Sequence, residues 1–126
     1  MSTRYVKSYV ASVAIAGYLV VKAAGDGAKL ALATAATDLL MGAADSMGAE
    51  AGGALDLALG GIGEVILGGT VAFGEPLTAN ASSQAIKALP ANSTQVRIIG
   101  YALAAGVAGD IIPYHIALGQ LSKASA

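Results

Sequence analysis

The chain has 126 residues, enough for one ordinary domain with a single core, and a net charge of −1 at pH 7. Only 12% of its residues are charged, about half the share usual in a soluble domain. Its Lys and Arg are scattered singly, which argues against binding nucleic-acid phosphates, and the absence of cysteine excludes disulfides, thiolate catalysis and cysteine-ligated metals.

Seventeen glycines and three prolines punctuate the chain into segments too short for most helices, and the short β-branched runs between them predict strands. Residues 1–12 read as an N-terminal arm or edge strand, ahead of a β-rich domain over 13–121 and a frayed tail over 122–126. Tyr18–Ala24 and Ala28–Leu32 flank Gly25-Asp26-Gly27, and Asp-Gly between apolar runs predicts a hairpin. Residues 34–38 suit a tight loop or one turn of helix; spacing through Leu30, Ala33, Thr37 and Leu40 keeps one short helix open. Leu39–Asp45 reads as a strand broken by Gly42, and 46–53 as a loop. Leu55, Leu57 and Leu59 then alternate with the strand period.

Glu64–Leu67 and Thr70–Phe73 follow as strands divided by Gly68-Gly69. Gly74-Glu75-Pro76 reads as a turn and 77–84 as a polar loop. Gln84–Leu89 alternates again, and Val96–Leu103 reads as a strand with helix as the weaker alternative. After a turn at Gly109-Asp110 comes a last strand, Ile111–Leu118, which Pro113 assigns to a sheet edge. Short strands with turns every roughly 8–12 residues describe an all-β sandwich or barrel in a single domain.

Mean hydropathy is +0.68, yet the longest uncharged runs, residues 8–21, 98–109 and 111–122, fall short of the roughly 20 apolar residues of a spanning helix. The basic start followed by an apolar stretch faintly echoes a signal peptide. Tyr18–Val21 run into Lys22 without a small-residue cleavage site, however, so neither export nor spanning is expected.

Chemistry-bearing patterns are sparse. His115 is the only histidine and lies in an apolar strand, so it reads as packed or paired at an edge rather than as a ligand. The glycines of residues 60–69 lack the Gly-Lys-Ser/Thr ending of a phosphate cradle and read as turns between strands. Asp26, Asp56, Glu75 and Asp110 sit beside or near glycines, where carboxylates favour turns. Ser82 and Ser83 lack the strand-to-helix elbow of a hydrolase nucleophile. Asn80-Ala81-Ser82 and Asn92-Ser93-Thr94 fit a glycosylation sequon that matters only after export. No catalytic residue, cofactor or metal site is assigned.

The opening is more informative. In an extended strand Tyr5, Lys7 and Tyr9 share one face, and a tyrosine buries a large area while keeping a polar tip. Arg4, Tyr5, Lys7 and Tyr9 are therefore the candidate contacts to a neighbouring subunit, with a first strand packed on its own domain as the alternative.

Three stretches together resemble the small capsid decoration (cement) proteins of tailed bacteriophages. They are Leu32–Asp45, with Ala-Thr-Ala-Ala-Thr-Asp; Ala51–Thr78, with Gly-Gly-Ala-Leu-Asp-Leu-Ala-Leu-Gly-Gly; and residues 99–112, Ile-Gly-Tyr-Ala-Leu-Ala-Ala-Gly-Val-Ala-Gly-Asp-Ile-Ile. The resemblance implies a compact β-tulip or related barrel, assembled as a homotrimer or sometimes a dimer. It also implies binding to major capsid proteins on the outer surface of the head, and host cytoplasm as the location before assembly. The surface fits that expectation: a compact monomer of 12.2 kDa exposes roughly 6,000 Å², and so few charges leave wide neutral tracts for other subunits to cover. The alternatives are a rigid neutral monomer, a small β-module of a phage tail, fibre or other surface assembly, and an enzyme or ligand-binding domain. If the opening is an arm, deleting residues 1–10 weakens attachment more than it disturbs the fold.

Overall fold

The computed structural model describes residues 5–24, 29–90 and 95–122. These contain strands and no helix: β1 (Tyr5–Ala11), β2 (Val20–Ala23), β3 (Lys29–Leu32), β4 (Leu40–Ala43), β5 (Ala54–Gly60), β6 (Ile62–Ile66), β7 (Pro76–Ala79), β8 (Ala85–Lys87), β9 (Gln95–Ala102) and β10 (Ile111–Ser122). They form two five-stranded sheets, in the orders β4-β2-β3-β1-β5 and β6-β10-β9-β7-β8. Both curl. In the first sheet an antiparallel bridge between Ala44 and Leu57 brings β5 back to the end of β4. In the second, a bridge between Leu67 and Ala85 brings the end of β6 to β8.

Curling makes two apolar interiors. The smaller lies inside the first sheet and holds Ala11, Ile15, Val21, Leu30, Ala44, Leu55 and Leu57. The larger fills the second sheet with Val65, Leu67, Leu77, Ile99, Ile112, Tyr114 and Ile116. Val20, Ala33, Leu40 and Ala43, from the other side of the first sheet, close it over. The consecutive Val20 and Val21 are therefore both fully buried, one in each interior. A strand apolar on both faces is what a position between two cores requires. Each such large side chain contributes roughly 1.5–3 kcal/mol of burial.

Polar bolts join the sheets. Tyr114 reaches from β10 into β4, where the Ala43 N–H donates to its phenolic oxygen at 3.1 Å. Gly42, at a φ of 136°, leaves the space: a Cβ there would stand 3.4 Å from the Tyr114 oxygen and 3.3 Å from Leu57 Cδ1. Burial pushes the Tyr114 phenol up to about 12, against the smaller opposing effect of the Ala43 N–H. Ser83 donates to the Ala33 carbonyl at 2.6 Å, while its own carbonyl accepts the Val20 N–H at 2.7 Å. Ile66 N–H adds a third link, to the Tyr18 carbonyl at 3.1 Å.

The all-β architecture in a single compact domain agrees with the sequence pattern, and several local expectations need correction. Strands β2 and β3 pair antiparallel as a hairpin; its turn, residues 25–28, lies outside the described residues. Residues 34–38 form a loop, not a helical turn: Asp38 Oδ2 accepts the Thr34 and Ala35 N–H groups at 2.9 and 3.1 Å. Gly42 does not break β4, because Tyr114 and Leu57 pack where its side chain would be. Thr70–Phe73 is not a strand; only Val71 makes a bridge, to Gly106. Conversely, Pro76–Ala79 is strand β7 and not part of a polar loop, since Leu77 and Ala79 are buried against the large core.

Pro113 does not mark an edge either. Strand β10 lies between β6 and β9. The Pro113 carbonyl accepts the Leu103 N–H at 3.0 Å, so its backbone polar side faces β9 just beyond that strand's last residue, Ala102. The missing N–H therefore falls where the ladder has already ended.

Candidate interaction surface

Four carboxylates, those of Asp38, Asp45, Glu75 and Asp110, clasp turns. Asp45 Oδ1 accepts the Met47 and Gly48 N–H groups at 3.1 and 3.2 Å. Glu75 Oε1 accepts the Ala72 N–H at 2.7 Å, and Asp110 Oδ2 accepts that of Val107 at 2.9 Å. Asp56 accepts the Ser8 hydroxyl at 2.6 Å. Glu75 also holds Lys87 at 2.7 Å. That hydrogen bond, then the Ala72 N–H, lowers its carboxyl below the ordinary value. Asn80 plays the same part as the acids, accepting from the Ser82 and Gln84 N–H groups at 2.9 and 3.0 Å. Asp26 and Asn92 lie outside the described residues.

Among the described residues no three of His, Asp and Glu come close enough to hold a metal ion, and no helix could cross a membrane. His115 is exposed on β10. Ser83, the buried one of the paired serines, is engaged in the inter-sheet bolt. Gly60 ends β5, and Gly61, at a φ of 83°, makes the tight turn into β6, as the sequence pattern of these glycines indicates.

The opening stretch is a strand in the first sheet, paired with β5 along its length and with β3 at Val10 and Ala11. Arg4 and the Tyr5 side chain lie outside what the structure describes. Lys7 stands opposite Leu57 and Tyr9 opposite Leu55, so the face they share is the core-side face of β1. Tyr9 is half-buried against the small core, with the Lys7 ammonium 5.4 Å from its ring centre; Lys7 itself is exposed. The face directed away from the core carries Val6, Ser8 and Val10.

Exposed apolar residues occur over both sheets, Val6, Val10, Leu39 and Leu59 on or beside the first among them, and one group stands in register on the second. Its register sets Ile62, His115, Tyr101 and Pro76 in one row across four strands, beside the row Glu64 and Pro113 and the pair Ile66 and Ile111. These are the outward positions: Gly63, Val65, Ile112, Tyr114 and Ile116 between them are buried. Ile62, Ile111 and Tyr101 are 44%, 45% and 38% exposed. Along one end of this sheet stand two clasped turns carrying Phe73, 71% exposed, and Val107, 54% exposed. The Gly74 N–H docks the first of them on the Ala102 carbonyl at 2.7 Å, and Val71 and Gly106 exchange bonds of 2.9 and 3.0 Å between the two. Sequence reading missed this face because these strands are apolar on both sides, which hides the period; apolarity on both sides is itself the signal that both need cover.

Concavities also mark the surface. One of about 150 Å³ is lined by Val6, Asp45, Asp56 and Glu64 among others, and one of about 410 Å³ by Leu39, Met41, Arg97 and Leu118.

No protein-family model matches the chain, and no curated protein matches it. Among solved structures it is similar to the head fiber gp8.5 N base in bacteriophage phi29. The TM-score is 0.64 at 18% sequence identity, over 91% of this chain and 95% of that one. The likeness is one of fold, extending across both curled sheets.

Proposed function

We propose that this chain is a structural protein of a phage head, and specifically a decoration (cement) protein. On this reading it sits on the outer capsid surface where major capsid proteins meet and braces the shell, after a period in the host cytoplasm before assembly. The observation that carries the reading is the fold shared with a phage head-fibre base over nearly the whole of both chains. The sequence resemblance to decoration proteins and the neutral, partly apolar exterior support it. No enzymatic step, nucleic-acid contact or membrane contact is part of it: the carboxylates nearest in kind to catalytic groups hold turns closed.

Self-association, as a trimer or a dimer, belongs to the same proposal, because repeated weak contacts on a symmetric shell add up to avidity. Arg4, Tyr5, Lys7 and Tyr9 remain the proposed shell contact. Of these, Lys7 supplies an exposed cation, whereas Tyr9 is partly engaged by its own core. Cryo-electron microscopy of the source particle tests the reading: density for this chain over capsid junctions supports it, and absence of the chain from purified particles overturns it.

One observation favours a second reading. The similar structure is the base of a fibre, so this chain could instead seat a fibre or tail appendage. Density at a few appendage sites, rather than across the shell, would select that role.

A further inference from the structure

We propose that the outer face of the second sheet binds the same face of a second copy of this chain, related by a two-fold axis. The inference deepens the self-association part of the proposed function and chooses between its two forms. Two features of the face point to another copy rather than to an unrelated partner.

The first is area. Taking roughly 150–250 Å² for a large side chain, the exposed parts of Ile62, Tyr101 and Ile111 on the face amount to on the order of 250 Å², and those of Phe73 and Val107 on the turns at its rim to about as much again. A standard interface buries about 800 Å² per partner, of which somewhat over half is apolar. Face and rim together therefore carry about the apolar area that one stable pairing needs, and the proposed contact takes in both. It is also pre-organised: the turns of Phe73 and Val107 are held by Glu75 and Asp110, so little freedom remains to be lost on docking.

The second is charge. Besides the Tyr101 phenol, the three rows of outward positions on β6, β10 and β9 hold just two acid–base side chains, Glu64 and His115. One accepts and the other donates, and they stand on adjacent strands in adjacent rows, diagonal to one another. A two-fold axis lying in the contact plane midway between them places Glu64 of each copy over the partner's His115. Ile62, Pro113 and Tyr101 surround those positions with apolar contact. The pairing is thus self-complementary, which an isologous interface demands.

Sedimentation equilibrium of the full chain tests this, with circular dichroism and melting to confirm that each variant folds. Wild-type chain should form dimers, and Ile62→Glu or Tyr101→Glu should weaken them by about a hundredfold. Glu64→Lys alone should weaken the dimer about tenfold by facing a cation with histidine, and His115→Glu alone should do the same with two carboxylates. The double variant Glu64→Lys with His115→Glu should return dissociation to within about threefold of wild type. A monomeric or trimeric wild type, a dimer indifferent to Ile62 and Tyr101, or a double variant as weak as the singles would each overturn the proposal. Binding to purified phage heads is measured separately. A monomer that binds heads through Ile62 overturns the second copy and keeps the phage reading, whereas a dimer that never binds heads does the opposite.

Discussion

Strands β2 and β10 are both apolar on both faces, but the molecule treats them differently. β2 lies between two interiors, so Val20 and Val21 are both covered by the chain's own residues. In β10 only Ile112, Tyr114 and Ile116 are covered; Ile111, Pro113 and His115 look outward beside Ile62 and Tyr101. The contrast extends to the sheets. The outward face of β1 and β5 mixes Val6 and Val10 with the hydrogen-bonded Ser8 and Asp56, whereas that of β6 and β10 is nearly free of such pairs. The first sheet mixes hydrogen-bonded polar groups into the apolar residues it leaves exposed. The second sets its exposed apolar residues side by side in register, with few polar pairs between them.

The most severe way to break this comparison is to remove part of the first sheet. Deletion of residues 1–10 takes away most of β1, which is the partner of β5 along its whole length and a wall of the small core. Global loss of the cooperative melting transition is expected, measured by circular dichroism. The sequence alone suggested that such a deletion mainly weakens attachment; the pairing of β1 with β5 makes it a test of folding instead. A truncated chain that melts like wild type would show that β1 is dispensable.

A milder test compares one leucine inside with one isoleucine outside. Leu57→Ala empties part of the small core and should destabilise by about 2–5 kcal/mol. Ile62→Ala, on the exposed face, should cost the isolated chain no more than about 0.5 kcal/mol. Urea unfolding of both variants at concentrations that keep the chain monomeric decides it. Equal losses would mean that the fold depends on the outer face as much as on the core.

Much of the fold was legible because alternation dominates where one face is wet. Leu55 and Leu57 inward with Asp56 outward make β5 unmistakable, and the β2–β3 hairpin follows from its Asp-Gly flanks. Legibility fails where tertiary contacts override local chemistry. Pro76-Leu77-Thr78-Ala79 looks polar enough for a loop, yet it is drawn into the sheet by the large core and by β8 and β9 on either side. Thr70–Phe73 looks like a strand, but the carboxylate of Glu75 captures the Ala72 N–H and bends the chain into a turn. For the candidate contacts the period was legible and the covering side was not. Tyr9 and Lys7 do share a face, but buried Leu55 and Leu57 opposite them make it the core-side face. Nothing within residues 1–12 states which side the partner strand will bury.

Tyr114 sharpens the comparison at the join between the sheets. Replacing it with Phe leaves the ring in place but strands the buried Ala43 N–H, so a loss of about 1–3 kcal/mol is expected in thermal or urea unfolding. The phenol adds a pH signature. Its value is raised to about 12 in the folded chain from an ordinary 10.0. Its contribution is therefore complete below pH 10. Above that the unfolded chain ionises while the folded one stays protonated, and stability falls by about 1.4 kcal/mol per pH unit until about 12. Tyr114→Phe should flatten that alkaline limb. A limb of unchanged steepness would assign it to other groups.

The smallest effect concerns the turn that presents Phe73. Glu75 holds this turn through the Ala72 N–H and is itself held by Lys87, so the two contacts can be separated. Lys87→Ala removes the larger cause of the lowered Glu75 carboxyl and should move its titration upward, towards the ordinary carboxylate range, as read by carboxyl-carbon NMR. Any stability the pairing adds is present at neutral pH and is lost as acid protonates Glu75, so the two proteins should converge at low pH. Because the Ala72 N–H clasp survives in Lys87→Ala, the Phe73 ring resonances should stay where they are; Glu75→Ala, which removes both contacts, should shift and broaden them. If both variants disturb Phe73 equally, the salt bridge holds the knob. If neither does, the backbone bridge between Val71 and Gly106 is sufficient to keep the rim of the exposed face rigid.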